Sequence, residues 1–321
     1  MRACTGGTMF GYILRRLLST VPVMLIVAVF VFLMLRIGPG DPAAIIAGDN
    51  ANADQVAMIR QQLGLDKPLL IQLFVWLRDI LGGDFGESFF FRKKVADLIA
   101  DRIEPTLALA ICTTIIAVIV ALPLGVIAAM KRGSVIDRLV MGFSVLGFSV
   151  PVFVIGYGLI YLFAIELPWL PVQGYQRIAN GFQPFLRSIA LPSLTLSIVY
   201  IALIARMTRT SVLEVLDEDY IRTAYSRGLT PLQTLMRHAL PNAAVPIVTV
   251  IGLGVALLIG GVVVTESVFA IPGIGRLTVD AALARDYPTI QAVILLFSFV
   301  YVMINLVIDI SYLLLDPRIR Y

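Results

Sequence analysis

The amino-acid sequence predicts an all-α integral membrane protein with six transmembrane helices and a helical loop after the first of them. Two observations predict this class. Hydrophobic residues make up 59% of the 321 residues and charged residues only 14%, whereas a soluble domain carries roughly a quarter charged residues. In addition, six apolar stretches are long enough to cross a hydrocarbon core of about 30 Å, which needs about 20 helical residues. We therefore expect most of the chain to face lipid.

The six predicted spans are joined by short connections, except after the first span and between the fourth and fifth. They cover residues 17–35, 106–130, 139–164, 189–205, 243–264 and 289–308. The first could also be a signal peptide, but its apolar run is too long and no small-residue cleavage site follows it. We expect it to be a membrane anchor, with either Met1 or Met9 as the start of the chain.

Basic residues are concentrated in the loops on one side of these spans. That side carries Arg2, Arg15, Arg16, Lys131, Arg132, Arg138, Arg206, Arg209, Arg222, Arg227, Arg237, Arg318 and Arg320. The short loops of the other side carry only Arg177, Arg187, Arg276 and Arg285. Because Lys and Arg in short loops stay in the cytoplasm, we expect both termini there. The net charge of +4 follows from this placement and does not indicate nucleic-acid binding.

The long loop between the first two spans contains two short helical patterns. The first begins after Asn52 and ends at Gly64, and the second begins after Pro68 and ends at Gly82-Gly83. One face of the second is apolar, with Leu70, Leu73, Phe74, Leu77 and Leu81. Such helices either pack on the bundle or lie in the lipid interface, or they form a docking surface for an external partner. The pattern alone does not separate these interpretations.

The sequence contains no residue pattern typical of ion coupling, nucleotide binding, catalysis or metal binding. No ionisable side chain falls in the middle of a predicted span, which argues against an ion-coupled carrier, although backbone and hydroxyl oxygens can hold sodium. There is no GxxxxGK[ST] phosphate loop, and the single histidine, His238, has no partner at a ligand or triad spacing. Cys4 and Cys112 have neither a metal nor a disulfide spacing. We expect no catalytic activity, metal or cofactor in this chain.

The loop between the fourth and fifth spans has an unusually complete set of helix signals. Asp217 is predicted to cap a first helix, with Leu216 and Ile221 in hydrophobic-staple positions around it. Glu218 and Arg222 are predicted to form an i,i+4 ion pair. The helix carries an apolar stripe formed by Ile221, Ala224, Tyr225 and Leu229.

A tight turn and a second helix are predicted to follow at once. Arg227 lies in the last turn of the first helix and Gly228 at its stop. Thr230 and Gln233 have the spacing of a capping box, and the second helix is predicted to stop at Leu240, before Pro241. This hairpin is either an amphipathic loop that lies on the membrane or a rigid structure to which another protein binds. A DNA-reading role is disfavoured because the membrane tethers the hairpin on both sides.

The same loop resembles that of a known family. The segment Asp219-Tyr220-Ile221-Arg222-Thr223-Ala224, followed by Gly228 and Leu240-Pro241, resembles the cytoplasmic "EAA" loop of bacterial binding-protein-dependent ABC importer permeases. Arg222 and Thr223 stand where the family pattern has Glu and Ala, whereas Ala224, Gly228, Leu240 and Pro241 match.

Seven further stretches resemble the B-type permease of the dipeptide/oligopeptide/nickel group. They are Gly40-Asp41-Pro42-Ala43, Leu63-Gly64-Leu65-Asp66, Gly83-Asp84-Phe85-Gly86, Glu266-Ser267-Val268-Phe269, Ile271-Pro272-Gly273-Ile274-Gly275, Arg285-Asp286-Tyr287-Pro288 and Leu315-Asp316-Pro317-Arg318. The resemblance covers nearly the whole chain after Met9.

The resemblance implies a type I ABC importer permease in the bacterial cytoplasmic membrane. It implies a cytoplasmic tail at 1–16, the first helix at 17–35, an extracytoplasmic loop at 36–104, an ABC transmembrane type-1 domain at 105–314 and a second cytoplasmic tail at 315–321. The implied partners are a second homologous permease that completes a heterodimer, two cytoplasmic ATPase subunits that bind ATP and Mg, and an extracytoplasmic solute-binding protein.

The resemblance also implies a docking site for the ATPase, which we name the coupling loop. Its residues are Glu218, Asp219, Tyr220, Ile221, Arg222, Thr223, Ala224, Tyr225, Arg227, Gly228, Leu229, Leu240 and Pro241. The implied substrates are di- and oligopeptides, with nickel, glutathione and sugars as alternatives in the same family. An ion-coupled secondary transporter is the alternative from a different class, and no residue is assigned to substrate.

Overall fold

The computed structural model of the chain is almost entirely helical and describes residues 6–37, 42–47, 52–62 and 64–315. Its α-helices are, in chain order, α1 Gly6–Ile37, α2 Pro42–Ala47, α3 Ala53–Gln62, α4 Leu69–Leu81, α5 Val95–Met130, α6 Val135–Ser149, α7 Val152–Ile160, α8 Phe182–Leu216, α9 Asp219–Ser226, α10 Pro231–Thr234, α11 Leu240–Val268, α12 Ile274–Leu283 and α13 Tyr287–Leu315. Two π-helical turns, Tyr161–Glu166 and Leu235–Ala239, and one 3₁₀ turn, Ile178–Asn180, complete the described elements. The motif residues Gly40, Asp41, Leu63 and Asp316-Pro317-Arg318, and all but the first residue of the predicted tail at 315–321, lie outside the described residues.

Five helical segments in the described part of the chain are long and apolar enough to cross a membrane. They are Leu14–Met34, Val95–Met130, Phe182–Leu216, Pro231–Val268 and Tyr287–Tyr312. A sixth span exists if the pair Val135–Ser149 and Val152–Glu166, which is bent by 102° at its break, crosses as one unit. The all-α membrane fold is thereby confirmed, with five or six candidate spans.

The prediction of a single helix over 139–164 is wrong, because the chain breaks at Val150-Pro151. Val150 has an extended conformation, with φ of −90° and ψ of 126°. A residue before proline is disfavoured in the helical region, and proline itself has no N–H for the helical ladder. The chain therefore leaves α6 and restarts as α7 directly after Pro151.

The fourth span is longer than the predicted 189–205, since α8 runs from Phe182 to Leu216. Its hydroxyl side chains lower the apolar signal but are buried in the helix. Thr195 donates from Oγ1 to the carbonyl of Leu191 at 2.8 Å, and Ser197 donates from Oγ to the carbonyl of Ser193 at 2.5 Å. These bonds satisfy polar groups that lipid could not satisfy, so the helix continues through them.

The chain divides into two compact units. Unit 1 comprises Met1–Ile103 and Leu277–Val302, and unit 2 comprises Glu104–Arg276 and Met303–Tyr321. In unit 2, α8 packs against α6, α7 and α11 around a buried apolar core that includes Leu109, Ile189, Leu191, Leu196 and Phe269.

In unit 1, the two predicted loop helices are confirmed as α3 and α4. The glycines that end them adopt left-handed φ values, +63° at Gly64 and +82° at Gly83, which glycine adopts without steric cost. The apolar stripe of α4 points outward, since Leu70, Phe74 and Leu81 are 73%, 76% and 87% exposed. Leu73 and Leu77 of the same stripe are partly buried, so its outer part faces the lipid interface or an external partner.

Candidate functional site

The first helix of the coupling loop begins one residue later than predicted. α8 extends far enough for the N–H of Asp217 to donate to the carbonyl of Leu213 at 3.1 Å, so Asp217 caps the end of α8. Glu218 is the N-cap of α9 and makes no side-chain cap hydrogen bond. The prediction that Asp217 caps α9 is therefore wrong. Its carboxylate instead accepts from Arg132 at 3.2 Å.

The predicted ion pair between Glu218 and Arg222 is also replaced by another. Arg222 lies 3.4 Å from Asp219, one helical turn away, and both side chains are exposed. Exposed pairs of this kind stabilise a helix by only a few tenths of a kcal/mol. Partial burial and the charge of Glu218 raise the pKa of Tyr220, so this phenol stays neutral at physiological pH.

The inner face of α9 is anchored in an apolar cluster of unit 2. Ile221 is 0% and Ala224 is 6% exposed. Leu216 packs against this cluster, although the shift of the cap to Glu218 takes Leu216 and Ile221 out of the predicted staple positions. The cluster's buried members are Ala129, Val212, Ile221, Leu235, Ala239, Ala243 and Ile247. Tyr225, predicted in the same stripe, is 44% exposed because it lies on the outer face. The cluster binds α9 to the ends of α8 and α11.

The turn between the two helices is a Schellman motif, which confirms the predicted stop at Gly228. The N–H of Gly228 donates to the carbonyl of Tyr225 at 2.9 Å, and the N–H of Leu229 donates to the carbonyl of Ala224 at 3.3 Å. Gly228 has φ of +83°. A Cβ added there would meet no atom within 4 Å, so the backbone conformation, and not lack of space, is what favours glycine.

The second helix begins with the predicted capping box. The hydroxyl of Thr230 accepts the N–H of Gln233 at 3.3 Å, and the Gln233 amide oxygen accepts the N–H of Thr230 at 3.1 Å. Pro231 occupies the first position, where its missing N–H has no consequence and its fixed φ favours the helix. Both ends of the turn are therefore fixed by hydrogen bonds.

The prediction that the second helix stops at Leu240, before Pro241, is wrong. α10 passes into the π-helical turn Leu235–Ala239 and then directly into α11, so the segment Pro231–Val268 is continuous. Pro241 cannot donate to the helical ladder, and the side-chain amide of Asn242 donates to the carbonyl of His238 at 2.6 Å beside it. The hairpin is consequently joined to the fifth span without a loop.

An ion pair that the sequence analysis did not single out holds α8 to the start of α6. Arg209 donates to both carboxylate oxygens of Asp137, at 2.5 and 2.8 Å, and the N–H of Gly133 donates to Asp137 at 2.9 Å. Asp137 is only 4% exposed. The sequence signal was Ser134, whose hydroxyl accepts the N–H of Asp137 at 3.3 Å in a capping pattern.

The resemblance motifs at residues 266–275 surround a second buried carboxylate. Glu266 is 0% exposed and accepts the Thr106 hydroxyl at 2.6 Å and the N–H of Arg276 at 2.9 Å. A Cβ on Gly273 would overlap this carboxylate, and one on Gly275 would lie 2.7 Å from the backbone of Val263. These glycines let the start of α12 approach α11 closely.

Comparison with known proteins gives the same assignment across the chain. Residues 121–321 match the family described as binding-protein-dependent transport system inner membrane component, and residues 9–110 match its N-terminal counterpart. The probable peptide ABC transporter permease protein y4tP of Sinorhizobium fredii is 55% identical over 310 residues, which cover 97% of this chain and 99% of the relative. The glutathione transport system permease protein GsiC is 45% identical in Salmonella typhimurium and 46% in Escherichia coli, over 98% of this chain and 100% of the relative.

Solved structures show the same fold. Two crystal forms of the inward-facing MetNI methionine ABC transporter match with TM-scores of 0.57 and 0.56, at 20% and 18% identity, over 68% of this chain and 96% of the other. The chain therefore belongs to the family of binding-protein-dependent transport system inner membrane components, as a multi-pass permease subunit of an ABC importer in the group that includes peptide and glutathione permeases.

Proposed function

We propose that this chain carries di- or oligopeptides across the bacterial inner membrane and that its coupling loop docks into a cytoplasmic ATPase subunit. The relative that is 55% identical is named as a peptide permease, which supports the substrate. The coupling loop supports the mechanism through one observation: it is a hairpin with hydrogen bonds at both ends of its turn and one face anchored in the core. A loop that transmits force has to be stiff, because a flexible loop would dissipate the force applied to it.

The outer face of the hairpin is the part that a partner can contact. The exposed residues of α9 on this face are Tyr220, Arg222, Thr223 and Tyr225. The inner residues Ile221 and Ala224 share their cluster with Val212 of α8 and Ala243 of α11. Force applied to the outer face is therefore passed to two membrane-spanning helices. In this proposal the chain has no catalytic role, and ATP and Mg bind only to the ATPase partners.

The arrangement in the membrane follows from the basic residues. Both termini and the coupling loop lie in the cytoplasm, and residues 36–104 lie outside, because Lys and Arg accumulate on the first side. A second homologous permease completes a heterodimer with this chain. Residues 105–314 form its ABC transmembrane type-1 domain, between the extracytoplasmic loop and the C-terminal tail.

Glutathione is the second candidate substrate. It is itself a short peptide, and the GsiC relatives at 45% and 46% identity are named as glutathione permeases. Nickel and sugars are the remaining alternatives within the family. Competition of each compound against a labelled dipeptide in uptake assays separates these substrates.

The function is tested by reconstituting the permease pair with its ATPases and solute-binding protein in liposomes and measuring accumulation of a labelled dipeptide. We expect uptake to require ATP and to persist when ionophores collapse the proton and sodium gradients. Vesicles with the permease pair but no ATPase are the control and should accumulate nothing. Full-rate uptake by the control, or uptake that disappears with an ion gradient, would contradict the proposal.

The capping box allows a test of whether the rigidity of the coupling loop affects the number of peptides imported per ATP. Thr230→Ala removes the hydroxyl that accepts the N–H of Gln233 and should destabilise the start of the second helix by about 1 kcal/mol. We expect roughly fivefold fewer peptides imported per ATP hydrolysed, as that free energy implies. Thr230→Ser retains the acceptor and should import as the unchanged protein does. Equal import ratios for the alanine and serine variants would show that the cap does not contribute to coupling.

A further inference from the structure

A cavity of about 200 Å³ lies within unit 1, and groups of both charges line it. Arg36 supplies a guanidinium, and Asp79 and Asp84 supply carboxylates. The side chains of Trp76, Phe89 and Tyr287 form aromatic parts of the wall, and Gln291 of α13 contributes an amide. None of these residues belongs to the coupling loop.

Arg36 is held in place by neutral groups only. Its Nε donates to Oε1 of Gln72 at 2.6 Å, and its guanidinium carbon lies 4.2 Å from the centre of the Phe32 ring. Gln72 is fixed in turn, because its amide donates to the carbonyls of Leu65 and Lys67 at 3.2 and 2.7 Å. No carboxylate pairs with Arg36 among residues 6–37, 42–47, 52–62 and 64–315, so its other N–H donors remain available.

Gln291 is the second hydrogen-bond donor in the wall of the cavity. It is 8% exposed, and its amide makes no hydrogen bond within the described part of the chain although it lines the cavity. The Gln291 amide is not fully enclosed by protein, so a molecule that enters the cavity can reach it. A guanidinium and an amide together form a donor set that suits a carboxylate.

The two acidic residues provide the opposite charge. One oxygen of Asp79 accepts from Arg78 at 2.8 Å, and one oxygen of Asp84 accepts the N–H of Gly86 at 2.9 Å. The second oxygen of each carboxylate has no donor from the described residues. Carboxylate oxygens in this state accept hydrogen bonds from an ammonium group.

We propose that this cavity binds a small zwitterionic dipeptide. Arg36 and Gln291 hold its α-carboxylate, Asp79 and Asp84 hold its α-ammonium, and the aromatic wall contacts its side chains. The cavity of about 200 Å³ has room for several waters, which a dipeptide as small as Ala-Ala would replace. The inference rests on the proposed function for the choice of a peptide, and it makes the permease itself a peptide-binding subunit outside the coupling loop.

The test is equilibrium binding of tritiated Ala-Ala to the detergent-purified permease complex, without ATP and without the solute-binding protein. We expect saturable binding that unlabelled Ala-Ala displaces and that N-acetyl-Ala-Ala and Ala-Ala amide, each lacking one charge, do not. Gln291→Leu should weaken binding about tenfold and leave the melting temperature unchanged, since Gln291 has no hydrogen bond in the protein to lose. Asp54→Asn, an exposed change in α3 outside the cavity, is the matched control and should bind as the unchanged complex does.

Three results would overturn the assignment: no saturable binding, equal displacement by the capped analogues, or unchanged affinity in both Gln291→Leu and Arg36→Gln. These results are distinguishable from failure of the proposed function. Binding that depends on Gln291 in a complex without ATP-dependent uptake leaves the cavity assigned and the transport proposal wrong. ATP-dependent uptake by a complex that shows no such binding would leave the transport proposal standing and the cavity assignment wrong.

Discussion

Replacing Gly228 by proline is expected to reduce ATP-driven uptake at least about a hundredfold while the complex still assembles in the membrane. Gly228 has φ of +83° and donates its N–H to Tyr225, whereas proline fixes φ near −65° and has no N–H. The mismatch costs about 3 kcal/mol or more, which corresponds to about a hundredfold in an equilibrium. The Schellman turn then opens, and ATP hydrolysis continues without transport.

The control for this substitution is Gly228→Asn. Asparagine visits the left-handed region more readily than other residues with a Cβ, and a Cβ at this position meets no atom within 4 Å. We expect its uptake to stay within a few-fold of the unchanged permease. Uptake and ATPase rates measured side by side on both variants separate coupling from assembly. Wild-type uptake by a well-expressed proline variant would refute the proposed role of the hairpin.

The spans and the hairpin caps were predictable because the signals for them are local. Hydrophobic length predicts a membrane helix, and Gly228 and Thr230 each fix a backbone conformation through neighbours within a few residues. The cap at Asp217 was misplaced for a related reason. α8 continues to Leu216 by packing inside unit 2, and a local cap pattern does not record where tertiary packing extends the preceding helix.

Whether a proline breaks its helix also depends on both local sequence and tertiary packing. Pro151 separates α6 from α7, whereas Pro123, Pro192 and Pro246 lie inside continuous helices. Each removes the same N–H, so the residue type alone cannot predict which one breaks its helix. Helices in a membrane tolerate proline where neighbours satisfy the freed carbonyl, and those neighbours come from distant parts of the sequence.

The groups that form sites were the least predictable part. Arg209 and Asp137 are 72 residues apart, and Arg36 and Gln291 belong to opposite ends of the chain. Gln291 stands near the start of an apolar span, where a polar residue indicates only that the span begins. Its position in the wall of the cavity is visible only when the surrounding side chains are placed, which is why the sequence assigned no residue to substrate.

The buried pair of Asp137 and Arg209 is the second position where one substitution should have a large effect. Arg209→Leu leaves the carboxylate of Asp137, only 4% exposed, with the N–H of Gly133 and no hydrogen-bonded cation, since Arg132 acts on it only through its charge. Removing one partner of a buried ion pair costs about 3–5 kcal/mol, whereas replacing both by neutral groups is much less costly. We therefore expect a large fall in the melting temperature of the purified permease for Arg209→Leu, and substantial recovery when Asp137→Asn is added.

Arg132→Gln is the matched comparison, because Arg132 and Asp217 form an ion pair with side chains that are 63% and 69% exposed. Exposed pairs contribute about 0–1 kcal/mol, so this variant should melt close to the unchanged protein. Burial, not the presence of an ion pair, is thus the quantity that separates the two variants. If Arg209→Leu melted like Arg132→Gln, or if Asp137→Asn made it worse, the pair would not hold α8 to α6, and the anchoring of the coupling loop would have to come from the apolar cluster around Ile221 alone.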